Sequence, residues 1–111
     1  MTTQDISEMV RSIGLPFAYY EFPDDTAQEP PFVCFLLPES DDVYADNENY
    51  ADKRVLQIEL YTDEKDYSLE KNVENVLRAN ELSYRRSEEY IRSEKMWQVT
   101  YETEVFVNEC E

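Results

Sequence analysis

At 111 residues, the chain has length for one domain, and its net charge of −16 gives it a surface that repels nucleic acid and anionic membranes. A hydrophobic fraction of 41%, with 14% aromatic residues, excludes a disordered chain. No apolar run approaches the length of about twenty residues that a membrane-spanning helix needs, and the opening Met-Thr-Thr-Gln-Asp, lacking a basic region and an apolar stretch, predicts no signal peptide.

The first predicted element is a short amphipathic helix, because Ile6, Met9, Val10 and Ile13 fall on one stripe. Asp5 with Glu8 offers a capping-box-like start, Gly14 a stop, and Pro16 a barrier to continuation. The aromatic segment 17–22 reads as a short strand, 23–31 as a loop, and 32–37 as a strand buried on both faces. Cys34 lies inside that apolar run and acts there as a small hydrophobe; Cys110 is the penultimate residue. Two thiols without a CxxC spacing fit a reducing cytosol and carry no redox chemistry.

The acid-rich stretch 38–52 has only Val43, Tyr44 and Tyr50 as sizeable apolar groups, and it reads as a protruding loop or loose hairpin, mobile unless a partner orders it. From Arg54 to Thr62 the pattern alternates, with Leu56, Ile58 and Leu60 on one face and Gln57, Glu59 and Tyr61 on the other. A second helix follows, capped by Asp66 or Ser68, facing inward through Leu69, Val73, Val76 and Leu77, and closed by Asn80. A polar strand 82–91 and a turn at Ser93-Glu94-Lys95 lead into the final strand 96–107, in which Trp97, Val99, Tyr101, Val105 and Val107 share a face. The predicted fold class is α+β, one mostly antiparallel sheet with two helices packed on one face, in the order α-β-β-(loop)-β-α-β-β.

The chemistry on offer is narrow. There is no histidine and one glycine, which removes the commonest general base and any glycine-rich phosphate cradle. The acids at 41–48 lack calcium-loop spacing. No enzyme activity, cofactor or metal is therefore expected. The nine tyrosines exceed what so small a core needs, and Tyr61, Tyr84 and Tyr90, on polar strands, are the candidate subunit-interface residues. The acids are also unevenly placed, since residues 12–52 hold ten of them and neither Lys nor Arg.

Several strings together carry a resemblance. They are Ile13-Gly14-Leu15-Pro16-Phe17-Ala18-Tyr19, Pro30-Pro31-Phe32, the acidic stretch 41–50, Gln57-Ile58-Glu59-Leu60-Tyr61-Thr62-Asp63 and the terminal hairpin with Ser93-Glu94-Lys95-Met96-Trp97-Gln98-Val99 and Tyr101-Glu102. In this order they resemble the small tail-completion proteins of siphophages and prophages of Gram-positive bacteria, labelled minor structural or minor capsid proteins, over nearly the whole chain. The resemblance implies a virion protein related to tail terminators, made in the bacterial host cytoplasm. Its partners would be further copies of itself in a ring, typically a hexamer, with the tail-tube protein and the head connector protein. DNA would pass through without being gripped, and Asp41, Asp42, Asp46, Glu48 and Asp52 are the candidate acidic lumen or partner loop. The rival reading is an acidic DNA mimic or another partner-binding prophage protein. A mimic needs carboxylates in a row at phosphate spacing, whereas the second helix mixes Glu70 and Glu74 with Lys71 and Arg78.

Overall fold

The computed structural model describes residues 2–22, 29–40, 43–45 and 48–107, with the backbone alone described at 39–40, 43–45 and 48–52. Helix α1 runs over Thr3–Arg11. Its cap is one turn earlier than the sequence pattern suggests. The Thr2 hydroxyl accepts the Asp5 N–H at 3.1 Å, while the Asp5 carboxylate accepts the Thr2 N–H at 2.9 Å. Asp5 thus closes a capping box that Thr2 opens, and Glu8 lies outside it. Beyond Ser12, Gly14 takes φ +91°, a left-handed turn that any side chain would strain.

The strands are β1 (Phe17–Tyr19), β2 (Phe32–Ser40), β3 (Val43–Ala45), β4 (Glu48–Thr62), β5 (Tyr84–Ile91) and β6 (Met96–Val107), with helix α2 (Tyr67–Ala79) between β4 and β5. The sheet order is β1-β2-β4-β6-β5, and β3 pairs with the outer part of β4. Among the described residues, every pairing is antiparallel except β1 with β2. The chain is therefore α+β, with both helices on one face of a mostly antiparallel sheet.

Register decides what each face carries. Leu60 lies opposite Val33 on one side and Val99 on the other; Ile58 lies likewise between Phe35 and Tyr101. These side chains meet Ile6, Met9, Val10 and Ile13 of α1 and Val73 and Leu77 of α2 in one core. Each fully buried aliphatic group there contributes about 1.5–3 kcal/mol. The opposite face of the sheet has no helix over it among the described residues, and carries Phe32, Cys34, Gln57, Glu59, Tyr61, Gln98, Thr100 and Glu102.

Four strand boundaries differ from the sequence reading. Strand β2 runs on to Ser40 rather than ending at 37, and β5 opens at Tyr84 rather than at 82. Strand β1 stops at Tyr19, because Tyr20 turns at φ +72° and donates its N–H to the Phe35 carbonyl at 2.8 Å. Strand β4 starts at Glu48 rather than Arg54, since β3 supplies a partner for residues whose side-chain pattern alone gives no strand signal. Within 38–52, expected as a protruding loop or loose hairpin, the described backbone of 43–45 pairs antiparallel with 48–51, and residues 41–42 and 46–47 lie outside those described. The expected mobility concerns a stretch that includes residues outside those described.

Candidate functional site

The three tyrosines singled out from sequence do not share one surface. Tyr61 lies on the helix-free face of the sheet, stacked on Phe32 with ring centroids 4.8 Å apart and planes 22° from parallel. Phe22 meets Phe32 edge-on at 5.4 Å. With Ile91 and Met96 these rings line an open cavity of about 380 Å³, rimmed by Glu21 and Glu94. The Tyr61 hydroxyl donates to Glu59 Oε1 at 2.9 Å, and Gln57 donates to the other oxygen of the same carboxylate at 2.9 Å. Burial first, then that hydrogen bond to a carboxylate, pushes the Tyr61 phenol well above its ordinary range.

Cys34 lines the same cavity and is 3% exposed. Burial, with Glu59 and Glu21 nearby, raises its thiol to about 11. The Cys34 thiol and the Tyr61 phenol are thus both held protonated at neutral pH.

Tyr84 and Tyr90 lie on the helix side of the sheet, at the two ends of β5. Tyr84 is half-buried, edge-on against Tyr101 at 5.5 Å, and its hydroxyl accepts a hydrogen bond from Arg78 at 3.4 Å. Tyr90 is 42% exposed and packs on Trp97 at 5.2 Å. Tyr84 therefore braces the core, and Tyr90 is the more accessible of the pair.

Between those two tyrosines sits an ionic cluster that the sequence reading missed. Glu70 of α2 is only 4% exposed. Its carboxylate accepts from Lys65 and, at 2.5 Å, from Arg86 of β5. Glu88 joins the same two cations, at 3.1 Å to Lys65 and 2.7 Å to Arg86. The Tyr101 hydroxyl donates to Glu74 at 2.9 Å behind them. Hydrogen bonds to Glu70 and then Glu88 hold the Arg86 guanidinium above its ordinary value. Lys65 also rises, its burial opposing but the bonds to Glu70 and Glu88 prevailing. The Lys65 ammonium lies 5.0 Å from the Tyr67 ring and 5.6 Å from Trp97, which adds cation–π attraction. A signal was present in the sequence: Glu70 stands three and seven residues before Val73 and Leu77, on the stripe that faces inward. The opposite charges on β5 that meet it become visible only once strand and helix are packed.

Asp41, Asp42 and Asp46 lie outside the described residues, and Glu48 and Asp52 are described by backbone alone, both in β4. Among the described residues, no group of three His, Cys, Asp or Glu side chains is placed to hold a metal ion, and no helix is long and apolar enough to cross a membrane. Comparison of the chain with protein-family models gives no match, and comparison with curated proteins gives none either.

Proposed function

We propose that this chain is a structural protein of a phage or prophage virion at the head–tail junction, where copies form a ring that completes or terminates the tail tube. The single observation that carries the reading is the acidic arm. Strand β4 is 15 residues long, and its first residues, Glu48 to Ala51, pair with β3 rather than with β2 or β6, so the hairpin extends beyond the main sheet. An arm rich in Asp and Glu on a subunit of net charge −16 suits a channel through which DNA slides, because carboxylates cannot grip phosphate.

The resemblance in the helix, strand and hairpin strings supports the same reading, and so does the α+β class that those strings imply. The aromatic cavity around Tyr61 supplies a place for an apolar side chain of a neighbour, with the tail-tube protein and the head connector as the expected axial partners. Two experiments test this. Deleting the gene should leave filled heads and unjoined tails, and cryo-microscopy of complete particles should show density of this fold at the neck. A full yield of infectious particles from the deletion would overturn the reading.

A further inference from the structure

Strand β5 is the last strand of the sheet, and among the described residues nothing pairs with its outer edge. It is eight residues long, and Arg85 through Tyr90 are all exposed. A free edge of this length is an open template for another strand, and proteins commonly blunt such edges with charge or proline. This edge has no proline, and its charges have an unusual arrangement. Reading outward from Ser87, Arg86 balances Glu88, Arg85 balances Glu89, and Tyr84 balances Tyr90.

We propose that β5 is a self-recognition edge, and that two copies of this chain pair through it antiparallel about a twofold axis at Ser87. The axis would stand perpendicular to the sheet, so each side chain stays on its own face. Arg85 of one copy then lies opposite Glu89 of the other on the helix-free face, and Arg86 lies opposite Glu88 on the helix face. Each contact occurs twice, and Tyr84 meets Tyr90 at both ends. Opposite charges directly across an antiparallel pair stabilise it, and like charges destabilise it. Moving the axis by one residue, to Arg86 or Glu88, sets arginine against arginine or glutamate against glutamate. The strand therefore selects one register.

The charges on the helix-free face are available for this contact. Arg85 and Glu89 form no ion pair with any described residue, whereas Arg86 and Glu88 are already tied to α2 through Glu70 and Lys65. The Glu70 cluster holds the middle of the strand in place while Arg85 and Glu89, the charges on the helix-free face, stay open. Such an isologous contact closes on itself and yields a dimer. It is independent of the virion reading, since a ring needs a second, heterologous surface.

The test is charge swapping read by sedimentation equilibrium: the wild-type chain at about 0.15 M salt, beside Arg85→Glu and Glu89→Arg. The wild type should dimerise. Each variant should weaken its own dimer about tenfold or more, because two attractive contacts become two repulsive ones. An equimolar mixture of the two variants should restore the dimer, since a glutamate then faces an arginine again at both contacts. A misfolded variant cannot produce that rescue. Wild type that stays monomeric at millimolar protein concentration, or variants that dimerise as well alone as when mixed, would overturn the proposal.

Discussion

Cys34, Tyr61 and Tyr101 share one consequence of being placed inside a strongly acidic molecule. Burial comes first in each case, followed by nearby carboxylates, and all three acids hold their protons past the ordinary range. The thiol's ordinary value of 9.0 rises to about 11. Above pH 9 the unfolded chain releases protons that the folded chain keeps, so the folded state binds more protons and stability falls as pH rises. Cys34 contributes to that loss until its folded value is passed, and the two phenols extend the loss to higher pH. The urea midpoint should drop from about pH 9 to about pH 11, and Cys34→Ala should flatten the lower part of that fall, before the phenols begin to titrate in the unfolded chain. A midpoint constant across that range would contradict the assignment of these groups. The same protonation makes Cys34 slow to react with thiol reagents in the folded protein.

Helix α2 and strand β5 are joined by charge as much as by apolar contact. The α2 start is conventional, with the Asp66 carboxylate accepting the Leu69 N–H at 3.1 Å. What is unusual is an acid, Glu70, on its inward stripe, made tenable by Lys65 and Arg86. Removing one partner of a buried pair leaves the other charges without their main counter-ion, so Glu70→Ala should destabilise the fold by about 3 kcal/mol. A combined Glu70→Met, Arg86→Met replacement should cost less than Glu70→Ala, because both charges leave together. Chemical unfolding of the two variants decides it, and equal stability of Glu70→Ala and wild type would mean that the cluster is solvated. The extra cost of Glu70→Ala should appear as faster amide exchange in β5, the strand that the cluster ties to the helix.

For the whole molecule, net charge competes with local complementarity. At about 0.01 M salt the screening length is about 30 Å, so two subunits repel as whole bodies. Near 0.15 M it falls to about 8 Å, where cross-strand pairs at β5 still act and the distant acids do not. Association should therefore strengthen between these two conditions, the reverse of the usual behaviour of salt-bridged contacts. Light scattering across salt reads this directly, and a Tyr84→Ala, Tyr90→Ala double variant should weaken association at every salt. A stable oligomer at the lowest salt would show that repulsion does not limit assembly.

The two helices, the strand faces and the core were legible in the chain before any packing was known, because they rest on periodicity. A stripe at 6, 9, 10 and 13, or an alternation at 56, 58 and 60, needs no knowledge of its neighbours to be read. The apolar run marked Cys34 as buried, and the sequence offered Asp66 or Ser68 as the α2 cap, of which the structure uses Asp66. Which element lies beside which came from packing. The start of β4 at Glu48 depends on β3 being there to pair with it, and the separation of Tyr61 from Tyr84 and Tyr90 depends on strand register across the sheet. The Glu70 cluster gathers residues 65, 70, 86 and 88 from the loop before α2, the helix and β5, and no local pattern encodes such a meeting. The balanced charges of β5 can be read as a string. That they lie on an open edge, where a second copy can reach them, follows from the order in which the strands lie side by side, which is fixed by contacts across the whole chain.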